Sequence, residues 1–144
     1  MNQPIYLQFD YAIFPIIAGN GLIRTLARDR VVIVPVPKNT IELFREMFSD
    51  VPQIAVVENR RAGFVNPIFA AEKLGVEFKD MHPGPSLAAW DYMKAMYALC
   101  GLPWETYKTA FRNSCRRDEA SELVDMTWGE LEYGKGEASG NGKS

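Results

Sequence analysis

Two short runs constrain this chain most: Val31–Val36 and Ile54–Val57, each nearly continuous in apolar, mostly β-branched residues. A strand with one face in water alternates apolar and polar residues. A run without alternation reads as a strand covered on both faces, the situation of a parallel sheet. Between the two runs, Ile41, Leu43, Phe44, Met47 and Phe48 recur at helical spacing. Asn39 followed by Glu42 gives that helix a box-like start, and Ser49-Asp50-Val51-Pro52 stops it. Pro35 and Pro37 are expected to end the first run, because proline has no N–H for a central ladder.

The same alternation extends towards the N-terminus. Ile5–Phe9 fits a first strand. Ile16, Ile17, Leu22, Ile23, Leu26 and Ala27 form a helical stripe, with Arg24, Arg28 and Asp29 on its other side. Gly19 and Gly21 interrupt that stripe at a cost of about 1 kcal/mol each relative to alanine, so they are expected to admit a closely packed backbone. The order βαβαβ implies parallel pairing through right-handed crossovers. The fold class is therefore α/β, a Rossmann-like parallel sheet with a helical C-terminal part.

Beyond Glu58 the pattern loosens. Asn59-Arg60-Arg61-Ala62-Gly63 is a polar loop, Pro67–Leu74 a short helix closed by Gly75, and Val76–Lys79 a short strand. His82-Pro83-Gly84-Pro85 is a turn. Ser86 caps a helix from about Leu87 to Leu99, which Gly101 stops. Helices are expected from about Trp104 to Arg112 and from about Arg116 to Met126. The domain is read as residues 1–127, followed by a Gly/Ser/Lys-rich tail over 128–144, low in complexity from Gly134 and expected to be disordered.

Composition narrows the function classes. With 16 basic and 18 acidic residues the net charge is −2, without the basic excess of a nucleic-acid binder or of a protein held electrostatically on an anionic membrane. Two cysteines and one histidine fall short of a closed zinc site, so no metal and no cofactor is expected. No apolar run approaches a membrane span, and Met-Asn-Gln-Pro shows no signal-peptide pattern, which points to the cytoplasm. Gly19-Asn20-Gly21 lacks the third glycine of a dinucleotide loop, since residue 24 is Arg. The terminal Gly-Lys-Ser has no preceding strand to make it a phosphate loop.

Open parallel sheets bind ligands at the carboxyl ends of their strands. That edge offers Asp10 and Tyr11 after the first strand, Lys38 and Asn39 after the second, and Glu58 to Arg61 after the third. Asp10 is placed to take a proton from a hydroxyl, or alternatively to cap the next turn. Lys38, Arg60 and Arg61 offer charge-assisted hydrogen bonds to a phosphate or carboxylate, or else form a solvated basic face. Cys115 lies beside Arg116 and Arg117, which would lower its pKa. Trp90, Tyr92, Met93, Met96, Tyr97 and Trp104 form either a sugar-stacking wall or core, and helical spacing favours core.

Three segments together carry a family resemblance: Asn20-Gly21-Leu22-Ile23-Arg24 with Leu26; Val31–Pro35 with Asn39–Phe48 and Ile54–Val57; and Tyr97-Ala98-Leu99-Cys100-Gly101-Leu102-Pro103-Trp104-Glu105, followed by Arg117-Asp118-Glu119. Over residues 4–123 they resemble the N-terminal, acceptor-side half of GT-B glycosyltransferases of the lipopolysaccharide heptosyltransferase type. The resemblance implies a domain that binds a sugar or phosphorylated small molecule; the sheet-edge reading makes Asp10 its candidate catalytic base and Tyr11, Lys38, Asn39, Arg60 and Arg61 its candidate ligand-binding residues. The chain departs from the family after the first strand, where Ala12-Ile13-Phe14-Pro15 stands in place of a Gly-Leu-Gly-Asp-type loop. The nucleotide-sugar half is not part of the pattern, so activity would need a second protein half or a second copy. The rival expectation is a non-enzymatic binding module for a nucleotide, a phosphorylated metabolite or a protein partner, with an apolar surface patch around Phe14, Trp90 and Trp104.

Overall fold

The computed structural model describes residues 2–9, 13–59, 75–84 and 87–143, with side chains as far as Lys135 in the last helix. Four parallel strands, β1 (Ile5–Gln8), β2 (Val32–Val36), β3 (Ile54–Glu58) and β4 (Glu77–Asp80), form one sheet in the order β3-β2-β1-β4. Helices α1 (Phe14–Ala18) and α2 (Asn20–Leu26) connect β1 to β2. A 3-10 turn (Lys38–Thr40) and α3 (Ile41–Met47) connect β2 to β3. After β4 come α4 (Ala89–Leu99), the single turn α5 (Thr106–Thr109) and α6 (Asp118–Lys143). The α/β reading with a helical C-terminal part is the fold observed.

The runs read as strands differ in their two faces. Ile5 and Leu7, Val32, Val34 and Val36, and Ile54 and Val56 are buried and share one core with Ile16, Ile17, Leu22, Ile23, Phe44 and Met47. On the opposite face Tyr6, Gln8, Ile33, Ala55, Val57 and Phe78 are half-buried, and Tyr6 stacks on Phe78 across the β1/β4 pair.

Pro35 does not end β2, and the register explains why. Val32 donates to Gln53 O on the β3 side, while Ile5 donates to Val31 O on the β1 side. Backbone groups of odd-numbered β2 residues therefore face β1. Pairing with β1 covers Ile5↔Val32 and Tyr6↔Ile33, and continuing it sets the proline nitrogen where a donor to Leu7 O would stand. Leu7 O accepts instead from Phe9 N–H at 3.1 Å. The proline thus costs no bond towards β3, where Pro35 pairs with Val57, and it closes β1 at Gln8.

Several helix ends differ from the sequence reading. Asn39 lies in the 3-10 turn. Thr40 precedes α3 and its hydroxyl donates back to Pro37 O at 2.7 Å, so no side chain caps α3. α4 starts at Ala89 after Ala88, and Ser86 lies outside the described residues. It does end as expected, with Gly101 in the left-handed region at φ 66°. The helix expected over 104–112 is one turn, and residues 111–117 form no regular element: Arg112 N–H donates to Asn20 of α2 and Ser114 N–H to Met47 O of α3. α6 runs well past residue 128, where a tail was expected. Leu131 is 1 % exposed, and Gly134 sits so close to Trp90 N that a Cβ there would lie 2.9 Å from it. Local composition was overridden by packing on α4.

Candidate functional site

In the order β3-β2-β1-β4 the connections run one way from β1 through β2 to β3 and then return to the other side of β1. The strands at which direction reverses are β1 and β4. Crevices at the carboxyl ends of such a pair are where open α/β sheets take ligands. Gln8 pairs with Asp80, and the β1/β2 register continued puts Gln8 beside Pro35. Lys38 and His82 therefore leave the sheet at one edge, three and two residues past a common level. Two strand spacings of about 4.8 Å put β2 and β4 roughly 10 Å apart.

Three side chains converge at the β1/β4 edge. His82 Nδ1 and the Tyr92 hydroxyl are 3.2 Å apart, and their rings meet edge-on at 5.8 Å. Phe14, in the first turn of α1, meets Tyr92 edge-on at 6.2 Å. Asp80 Oδ1 accepts the His82 backbone N–H at 3.0 Å, which fixes the turn that presents the imidazole. The result is an imidazole and a phenol held against each other beside aromatic edges, at the mouth of the sheet.

Of the residues singled out from the sequence, Lys38 and Asn39 are described, and both are exposed at this edge after β2. Asp10, Tyr11, Arg60 and Arg61 lie outside the described residues. Sequence reasoning treated His82 as part of a turn and Tyr92 as part of an aromatic cluster. The signal that would have placed them is the short strand before His82: once that strand lies beside β1, the loop after it belongs to the carboxyl edge of the sheet.

The aromatic cluster divides. Met93, Met96 and Tyr97 are fully buried and Trp90 is 7 % exposed, so these are core. Tyr97 donates to Ala18 O at 2.9 Å and accepts from Leu22 N–H at 3.2 Å, and burial raises its pKa. Trp104 is half-buried against Trp90 and Tyr107. Of the expected apolar patch, Trp90 is buried while Phe14 and Trp104 are half-buried against the core. Among the described residues the exposed large apolar ones are Leu87, Leu99, Met126 and Tyr133.

Arg24, read from the sequence as lying away from the apolar stripe, is 9 % exposed. Its guanidinium donates to Asn20 Oδ1 (3.0 Å), Asp50 Oδ2 (2.7 Å), Met47 O (2.8 Å) and Arg112 O (2.7 Å), over the ring of Phe48. The amide of Asn20 donates to Arg112 O and accepts from Arg112 N–H. Ser114 completes the group by donating to Asp50 Oδ1 at 2.8 Å. Burial works to raise the Asp50 pKa, but the bonds from Arg24 and Ser114 outweigh it and hold the carboxyl below its usual value. This network ties α2 to the end of α3 and to the segment after α5. Gly21 serves the same joint, because any Cβ there would overlap Thr106 O of α5.

Cys115 is also structural. Its thiol donates to Glu46 Oε2 at 3.2 Å, and Arg117 is turned to Glu46 Oε1 at 2.7 Å. Burial, with Glu46 adding to it, pushes the Cys115 thiol up rather than down, contrary to the sequence expectation. Among the described residues no three His, Cys, Asp or Glu side chains gather as metal ligands, and no helix is long and apolar enough to cross a membrane.

No protein-family model matches this chain, and neither a curated protein nor a solved structure matches it.

Proposed function

We propose that this chain is a ligand-binding domain of the acceptor-half kind. It holds a sugar or a phosphorylated small molecule at the carboxyl edge of its sheet and performs no transfer until a donor-bearing wall closes over that edge. The observation that supports the reading is the strand order β3-β2-β1-β4, which puts the reversal of direction at the carboxyl ends of β1 and β4, where His82, Tyr92 and Phe14 meet. In this reading His82 and Tyr92 hydrogen-bond ligand hydroxyls. Lys38, roughly 10 Å along the edge, neutralises a phosphate. Asp10 is the base if transfer occurs, and Tyr11, Asn39, Arg60 and Arg61 complete the ligand shell.

Thermal shift with free hexoses, hexose phosphates and nucleoside phosphates tests the proposal. A ligand at 100 times its Kd adds about 2.7 kcal/mol, which moves the midpoint by several degrees in a domain of this size. Stabilisation by a hexose phosphate is expected. It should be abolished in His82→Ala with Tyr92→Phe and weakened in Lys38→Ala. No shift with any of these compounds, or a shift that all three substitutions leave unchanged, refutes the assignment.

A further inference from the structure

The sheet edge does not account for the surface of α6. The N-terminal turn of α4 and one side of α6 enclose a groove of about 500 Å³ lined by Ala88, Ala89, Met126, Gly129, Tyr133 and Gly134, with Glu130 at its rim. Met126 is 63 % and Tyr133 70 % exposed, and Leu87 beside Ala88 is 42 % exposed. These two α6 residues are seven positions apart, two helical turns, so they lie on one side of the helix. The glycines keep the floor low, since a Cβ at Gly129 would meet nothing within 4 Å.

An apolar stripe on a helix whose opposite side is already buried needs a reason to stay uncovered. Charge narrows the occupant. Residues 118–135 hold six acidic side chains and one lysine, and that lysine, Lys135, lies over the Trp90 ring at 5.3 Å. On helical geometry Glu119, Glu122 and Glu130 share the side of Met126 and Tyr133, and all three are exposed. Glu119 is met at 3.7 Å by Arg117, while Glu122 and Glu130 lie nearer the stripe's centre. A second copy of α6 laid on this face would set carboxylates against carboxylates. A basic partner would not.

We propose that this groove docks a basic amphipathic helix, with Leu, Ile or Met side chains entering between Met126 and Tyr133 and Lys or Arg side chains pairing with Glu122 and Glu130. The stripe from Glu119 to Tyr133 spans roughly 21 Å at 1.5 Å per residue, so about four turns of partner helix cover it. This mode of recognition reads apolar anchors at i, i+3, i+4 and i+7. The site is separate from the β1/β4 edge, and the proposal does not depend on the ligand assigned there.

The test uses a fluorescent peptide of about 14 residues, built from leucine and lysine in helical register, and its counterpart with glutamate for lysine, both followed by anisotropy against the whole chain. The lysine peptide is expected to bind and the glutamate peptide is not. Tyr133→Ser with Met126→Ser should weaken binding about tenfold or more, as should Glu122→Lys with Glu130→Lys. Glu42→Lys, an exposed change on α3, should leave it intact. Far-UV circular dichroism confirms that the variants fold, as expected for exposed positions. Equal binding to the parent and to the groove variants, no binding of the lysine peptide, or self-association in sedimentation that Tyr133→Ser removes would each overturn the proposal.

Discussion

Gly21→Ala and Gly129→Ala set two effects against each other, and the structure fixes which one wins at each site. Both glycines lie inside helices, and neither needs a positive φ. On helix propensity alone each substitution should stabilise by about 1 kcal/mol. At Gly129 nothing stands within 4 Å of the added methyl, so the gain should appear nearly whole. At Gly21 the methyl overlaps Thr106 O and lies 3.1 Å from the Tyr97 hydroxyl. A backbone carbonyl cannot rotate aside as a side chain can, so α5 must move away from α2. Overpacking of this kind costs about 1–3 kcal/mol, and the Tyr97 bonds to Ala18 O and Leu22 N–H are disturbed as well. The net for Gly21→Ala is a loss of about 2 kcal/mol. At roughly 3 °C per kcal/mol for this length, the two melting points should move apart by about 9 °C around the parent. Urea unfolding should give the same sign with an unchanged m value. A Gly21→Ala variant as stable as the parent would refute the packing of α5 on α2, and with it the joint that positions the C-terminal helices.

Arg24→Met should cost about 3 kcal/mol, below the full price of breaking a buried pair because Asp50 is 26 % exposed and can rehydrate. Arg28→Met, two positions past the end of α2 and exposed, should stay within about 0.5 kcal/mol, and urea midpoints distinguish the two. The same network makes stability depend on acid. The Asp50 pKa is lowered in the folded state despite burial, so its contribution is complete above the unfolded carboxylate value near 4 and is lost as pH falls through the lower folded value. Asp50→Asn should flatten the fall in urea midpoint below about pH 4; an unchanged slope would sink the assignment.

The strands were legible because one buried and one half-buried face leave Val31–Val36 and Ile54–Val57 apolar throughout, with no polar alternation. The placement of β4 was not legible. Glu77–Asp80 carries no continuous apolar run, and its position beside β1 depends on non-local pairing of Ile5 through Gln8 with residues 77–80. The site followed the same division. Lys38 and Asn39 could be placed at the sheet edge because they follow a readable strand, whereas His82 could not, because its strand gains meaning only from its neighbour. Arg24 misled for a different reason: a charged residue on a helix reads as solvated unless its partners are known, and those partners, Met47 and Asp50 at the end of α3 and Arg112 after α5, come from two distant places in the chain. Residues 128–135 were misread because glycine-rich composition argues against helix locally, while contact with Trp90 rewards small residues there.

The segments on which a family resemblance was expected have a common character in the structure. Asn20 and Arg24 are buried and bonded to Arg112, Asp50 and Met47, and Gly21 admits α5. Tyr97, which opens the third segment, is bonded to Ala18 and Leu22. None of these groups is available to a ligand. They form a framework that holds α2, α4 and α5 in place. Framework residues can be shared by domains that bind unrelated molecules, so these segments speak to architecture. On the proposed function, the identity of the ligand is decided by groups at the carboxyl edge, and among the described residues those are His82, Tyr92, Phe14, Lys38 and Asn39. A substitution at Asn20 or Arg24 that abolished binding would act through folding. One at Tyr92 that abolished binding with the melting point unchanged would act on the ligand itself.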